Sequence, residues 1–179
     1  MENSVITALK TERLMLRPIV ASDIDAVFKG LSDPEVIKYY GVNFQSLEAT
    51  KEQMSFYEDL KKNGTGIWFA ICSLDNTVFF GAAGLNDLNQ EHKKAEIGFW
   101  LMKEFWGQGI VVEVLQLICN YGFDVLGLHR IEGFVESNNL KCKRAMSKLD
   151  FRLEGTMIDS EIKNGEFISL DIYAKINAQ

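Results

Sequence analysis

Glu96-Ile97-Gly98-Phe99-Trp100-Leu101-Met102, then Trp106-Gly107-Gln108-Gly109, then a mostly apolar segment over residues 110–123: this stretch decides the fold. An apolar strand runs into a turn with two glycines one residue apart, and the turn opens a helix. Glycine lets the backbone turn sharply and come close to a ligand. The first N–H groups of the helix have no carbonyl partner within it and favour an anion such as a pyrophosphate. A cofactor with a phosphate tail is therefore the first expectation. A Gly-x-Gly turn is common in loops, but its place between a strand and an apolar helix makes the signal more specific.

Working outward, Glu113, Gln116 and Asn120 make one narrow polar stripe on that helix, so its other faces meet protein. The near-continuous apolar strand before it predicts a sheet covered on both faces. Upstream, residues 67–71 and 77–82 read as strands flanking Asp75-Asn76. Arg13-Leu14-Met15-Leu16-Arg17 reads as a first strand stopped by Pro18. Ser22-Asp23-Ile24-Asp25 resembles a capping box, with Asp25 reaching back. Pro34 opens a short helix after Ser32-Asp33, carrying Val36, Ile37 and Tyr40. Ser46 caps a longer helix that ends at Asn63-Gly64. Downstream come a strand at 130–136, a helix at 140–149, and an antiparallel pair at 151–158 and 167–176 joined through Asn164-Gly165. The expected fold class is α/β (α+β): a mixed, mostly antiparallel central sheet of about seven strands, helices on both faces, in a single domain over residues 1–179.

Composition narrows the function. Net charge is −6 with no basic stripe, which argues against nucleic acid as a partner and is compatible with a cationic acceptor. No apolar run is long enough to span a bilayer, and residues 1–10 lack the basic start and apolar stretch of a secretory signal, so no membrane partner and a cytoplasmic location are expected. Cys72, Cys119 and Cys142 have no metal-ligand spacing and two lie in apolar patterns, as reduced thiols do. With two distant histidines, no metal site is expected.

The order of elements, with these residues at the junctions, resembles the GNAT superfamily of N-acetyltransferases, and within it the Rim-type branch that acetylates N-terminal amines of ribosomal proteins. The resemblance covers nearly the whole chain: Thr11-Glu12-Arg13-Leu14-Met15-Leu16-Arg17-Pro18, Asp33-Pro34-Glu35-Val36, Ala95-Glu96-Ile97-Gly98-Phe99-Trp100-Leu101, Trp106-Gly107-Gln108-Gly109 with Glu113 behind it, Gly127-Leu128-His129-Arg130-Ile131-Glu132, and Asn139 with Lys148-Leu149-Asp150-Phe151. It implies acetyl-CoA as cosubstrate and a primary amine, such as a protein N-terminus, as acceptor. It further implies that the backbone of Phe99, Trp100 and Leu101 pairs with the pantetheine arm. The turn from Trp106 through Gly107, Gln108, Gly109, Ile110, Val111 and Val112 would hold the pyrophosphate, and Asn139 would bond the pantetheine. A backbone N–H near Leu101 would serve as donor to the thioester oxygen. Three departures from the family pattern stand out. Val111 and Val112 replace smaller residues. Cys142 stands where the branch often has a serine that protonates the thiolate, and Met146 where other relatives have an acidic tyrosine. The sequence leaves monomer and homodimer both open.

Each candidate has a plainer alternative. Glu96 is a candidate base acting through water, or a strand-end carboxylate facing solvent; Asp159 and Glu161 are weaker candidates of the same kind. Cys142 is a catalytic and cofactor-binding candidate, or filler on a face shared with Ala145, Met146 and Leu149. Lys141, Arg144 and Lys148 form the opposite stripe, either a solvated face or a partner for a CoA phosphate. Trp100 and Trp106 can be core, and His129 carries no assigned chemistry. By resemblance, residues 23–60 form one wall of the acceptor site, shaped by Phe28, Tyr39, Tyr40, Phe44, Phe56 and Tyr57. Competing functions are a CoA or acyl-CoA binding module with weak turnover, an acetyltransferase of small amines such as polyamines or antibiotics, and an interaction protein that kept only the fold. A dinucleotide-binding enzyme lacks support because the third spaced glycine is missing, and no Gly-Lys-Ser or Gly-Lys-Thr phosphate loop occurs.

Overall fold

The computed structural model describes residues 8–178. In chain order it has β1 (Leu9–Lys10), β2 (Leu14–Pro18), α1 (Ile24–Leu31), α2 (Pro34–Ile37) and α3 (Leu47–Asn63). These are followed by β3 (Ile67–Ser73), β4 (Phe79–Asn89), β5 (Lys94–Leu101) and α4 (Ile110–Asn120). Then come β6 (Arg130–Glu136), α5 (Leu140–Lys148), β7 (Arg152–Lys163) and β8 (Glu166–Ile176). One eight-stranded sheet runs β1-β2-β3-β4-β5-β6-β8-β7. Every neighbouring pair is antiparallel except β5 and β6. The fold class expected from the sequence is the one observed, with a two-residue first strand added at one edge.

Two cores lie on opposite faces of this sheet. The larger one packs Ile110, Val114, Leu115, Ile118 and Cys119 of α4 against Leu16, Phe69, Leu85, Ile97 and Ile131. Each such buried aliphatic side chain is worth about 1.5–3 kcal/mol. The smaller one packs Val27 and Leu31 of α1 and Tyr57 of α3 against Trp68, Ala82 and Trp100. Helices thus cover both faces, and β3 is buried from Ile67 to Cys72.

Local signals held at most junctions. Asp33 accepts the Glu35 N–H in front of Pro34. Ser46 accepts the Ala49 N–H, and Gly64 closes α3 at φ 68°. Four boundaries moved. Strand β4 starts at Phe79 rather than at 77, because Asp75 captures the N–H and hydroxyl of Thr77 and folds them into the turn. The residue that reaches back at this helix start is Asp23, to Val20, rather than Asp25 to Ser22. A 3-10 turn over Ala21–Asp23 shifts the start of the helix back, so Asp23 accepts the Val20 N–H at 2.8 Å while also gripping Arg17 with both oxygens. Strand β7 runs on to Lys163, past a bulge between Met157 and Glu161. A π-helical turn over Tyr121–Val125 ends the helix that the apolar run predicted to 123.

Candidate active site

The decisive geometry is a fork in the sheet. Strands β5 and β6 pair only at Lys94↔Arg130, Ala95↔Ile131 and Glu96↔Glu132, and beyond Glu96 they part. Strand β4 stays paired with β5 as far as Gly81↔Leu101. The Met102 N–H reaches the Phe80 carbonyl at 2.9 Å, so by antiparallel alternation Trp100, Gly98 and Glu96 also turn their backbone groups to β4. Ile97, Phe99 and Leu101 turn theirs into the fork. Of the three residues the sequence nominated for backbone pairing, Phe99 and Leu101 therefore face the opening. Trp100 does not: its backbone is spent on β4, and its indole N–H donates to the Tyr57 hydroxyl at 3.1 Å. Trp106 ties the turn to the strand end by donating its indole N–H to the Leu101 carbonyl at 2.8 Å.

At the mouth of the fork stands the glycine turn. Gly107 and Gly109 both adopt φ 76°, a left-handed conformation that suits glycine. Among the described residues no side chain caps α4, and Glu113 is the first residue whose N–H reaches a helix carbonyl, that of Gly109 at 3.2 Å. The N–H groups of Ile110, Val111 and Val112 thus have no partner within the helix, which is the arrangement an anion requires. Val111 and Val112 are half-buried and rest against the larger core. A strand edge and a helix start meeting at one fork fit a long cosubstrate with a diphosphate. Lys141, above the Trp106 ring at 4.8 Å, adds a cation near the turn.

Glu96 sits at the branch point. It shares the Trp100 face of β5, the side of α1 and α3, and is half-buried. Burial, then the charges of Asp87, Glu132 and Glu161, push its carboxyl up to about 7. Glu132 itself is tied to Lys94 at 2.9 Å and Arg130 at 2.7 Å. Tyr40, its hydroxyl held well above the ordinary phenol value by burial and then by Tyr57, lies near enough to feel the Glu96 charge. Of the nominated wall aromatics, Phe44 and Tyr57 are buried, Phe28 and Tyr40 half-buried, and Tyr39 and Phe56 exposed. Phe134, 40% exposed on β6 between Glu132 and Glu136, was not singled out in the sequence; only its place on the forked strand gives it interest.

On α5 the nominated residues divide. Asn139 caps the helix, its side-chain oxygen accepting the Cys142 N–H at 3.1 Å. That oxygen is thereby committed, and the amide N–H2 remains. Cys142 is half-buried, and burial pushes its thiol up to about 12, so it stays protonated. Met146 is fully buried under Gly133. Lys141, Arg144 and Lys148 are exposed; Lys143 instead pairs with buried Asp171 at 2.6 Å. Asp159 is exposed, its N–H given to the Ser169 hydroxyl. Glu161 is exposed and acts on Glu96 through its charge. Among the described residues no group of three or more His, Cys, Asp or Glu is placed to hold a metal ion, and no helix is long and apolar enough to cross a membrane.

Comparison with known proteins agrees with this geometry. Residues 13–152 match the family described as an acetyltransferase (GNAT) domain. An uncharacterized N-acetyltransferase of Bacillus subtilis, YoaA, is 34% identical over 167 residues, 93% of this chain and 94% of that protein. The spermidine N(1)-acetyltransferase of Escherichia coli is 26% identical over 153 residues, covering 85% and 80%. The solved structure of RimL, a ribosomal L7/L12 alpha-N-protein acetyltransferase, superposes with a TM-score of 0.86 at 22% identity, covering 99% of this chain and 98% of that one. The chain belongs to the GNAT family and is an acetyl-CoA-dependent N-acetyltransferase.

Proposed function

We propose that this enzyme acetylates a primary amine by direct attack on the thioester, with Glu96 as the base and a protein or peptide N-terminus as the acceptor. The observation that carries the reading is the half-buried Glu96 at the point where β5 and β6 part, its carboxyl near 7. A base whose pKa lies close to neutral is ionised often enough to act and basic enough to take a proton. Acetyl-CoA supplies an activated acyl group on a good leaving thiolate.

The chain's own residues have distinct tasks. Glu96, directly or through a water, takes the proton of the incoming ammonium. The N–H of Leu101, aimed into the fork, donates to the oxygen on which charge develops, and such a preset donor is worth about 3 kcal/mol. The N–H groups of Phe99 and of residues 109–112 hold the pantetheine and diphosphate, with Gly107, Gln108 and Trp106 fixing the turn. The free amide N–H2 of Asn139 bonds the arm. Cys142, protonated at all ordinary pH values, is the candidate donor to the departing thiolate, and a weak one.

For the acceptor, Glu132 is committed to Arg130 and Lys94 and Glu136 to Lys163. Among the described residues, Glu96 is then the half-buried carboxylate on this face without an ion pair, with Tyr40 near it and exposed Phe134 on the same face of β6. One carboxylate with neighbouring aromatics suits a single ammonium followed by an apolar group, as at a peptide N-terminus. A polyamine is the second reading, favoured by exposed Asp87 and Glu161 acting on the same carboxylate and by the spermidine-acetylating relative.

Purified protein given acetyl-CoA with N-terminally free peptides, spermidine and aminoglycosides distinguishes these readings. Thiol release greatest with peptides supports the first, and release greatest with spermidine favours the second. CoA binding without thiol release for any amine would reduce the site to a binding module.

A further inference from the structure

We infer that Arg13 is a positioning residue that locks the diphosphate turn in its anion-binding orientation; this rests on the cofactor reading above. Arg13 lies between β1 and β2, where the Thr11 hydroxyl oxygen accepts the N–H groups of Arg13 and Leu14. Its side chain crosses to the glycine turn and the start of α4. One guanidinium nitrogen, Nη2, donates to the Gln108 carbonyl at 2.9 Å, 95 residues away, and Nε donates to Glu113 at 2.7 Å, 100 residues away. Nothing in the sequence marked Arg13 beyond its place in the opening strand.

The physical consequence follows from the planar peptide. The Gln108 carbonyl and the Gly109 N–H belong to one rigid unit and point in opposite directions. A turn with left-handed glycines on both sides of Gln108 can flip this unit at little cost. Flipped, it would aim a carbonyl oxygen at the diphosphate and withdraw the Gly109 N–H. By holding the oxygen, Arg13 holds the N–H on the opposite side. Glu113 orients the guanidinium fork, and the guanidinium in turn neutralises a carboxylate that stands one turn inside an anion-binding helix start. A fork of parallel donors can make both bonds at once, which an ammonium cannot do in the same geometry.

The test combines binding, kinetics and a measurement on the free protein. Arg13→Met should weaken CoA binding by calorimetry about tenfold and raise the KM for acetyl-CoA equally, with kcat at saturation within about twofold. Relaxation dispersion at the Gly109 amide of the free variant, absent in the wild type, should report the flipping peptide. Arg13→Lys, which keeps the charge and the stem, should recover part of the affinity and carries the test if the methionine variant does not fold. Wild-type CoA affinity in either folded variant, a quiet Gly109 amide in Arg13→Met, or a fall in kcat at unchanged KM each overturns the inference. A wild type that binds no CoA overturns the cofactor reading instead, and the Gly109 measurement still decides whether Arg13 restrains the turn.

Discussion

Glu96 carries two opposed demands. As a base it must lose its proton near neutral pH, and the burial and neighbouring charges that tune it there make its ionised form costly. With its carboxyl at about 7, kcat/KM for the amine should rise with unit slope below pH 7 and level off above it. Glu96→Gln should flatten that limb and lower kcat by roughly 100-fold, measured by thiol release. The same shift makes a stability statement. The folded-state value lies above the unfolded one, so the favourable contribution of Glu96 is complete below about pH 4.5 and is lost as pH rises through 7. Glu96→Gln should therefore stabilise the protein at pH 8 by about 1–2 kcal/mol, after allowance for partial exposure, and by nothing at pH 4. Denaturant melts at the two pH values check this, and equal gains at both would refute the assignment of the charge. The residue was visible in the sequence as a strand-end carboxylate. Its tuning was not, because Asp87, Glu132 and Glu161 converge on it from other strands.

The strand–turn–helix unit of β5, residues 102–109 and α4 was the most legible part of the chain. Its signals are local: a strand-length apolar run, two glycines, and a helix with one polar stripe. Both glycines take the conformation their spacing implied. Gly109→Ala would place a methyl group 3.7 Å from the Arg13 guanidinium, an ordinary contact, so the penalty comes from the left-handed backbone. The variant should lose about 1 kcal/mol of stability by denaturant melts and bind CoA several-fold more weakly by calorimetry, with the two effects appearing together. The cap of α5 offers a companion case. Asn139→Ala removes the acceptor for the Cys142 N–H and should cost about 1 kcal/mol in the same melts. The sequence pointed to Asn139 for the cofactor and missed the cap, since no capping-box partner follows it.

Across the molecule, the last hairpin is tied to the end of α2. The Lys163 ammonium donates to the Lys38 carbonyl at 2.6 Å, binds the Glu136 carboxylate, and lies 5.9 Å from the Tyr39 ring centre. Lys38 and Lys163, 125 positions apart in sequence, thus meet beside Glu136 at the end of β6. Lys163→Ala should leave Glu136 unpaired and cost about 1–2 kcal/mol of stability, because the pair is only partly exposed. It should also raise the KM for the amine about threefold and that for acetyl-CoA by less, since most cofactor residues lie on β5, the glycine turn and α4, with only Asn139 and Cys142 on α5. Equal rises in both would show that the tie supports the whole fork rather than its acceptor side.

The amino-acid order was enough to fix the succession of elements, the glycine turn and the apolar helix behind it. Those features rest on backbone conformation and on periodicities of two or 3.6 residues, which are local properties of a chain. It was not enough to separate Phe99 and Leu101 from Trp100, to bring Arg13 onto the Gln108 carbonyl, or to raise the Glu96 carboxyl. Each of these depends on where β5 parts from β6 and on which residues the sheet register sets side by side, and contacts across 95 to 125 positions leave no periodic trace in the chain.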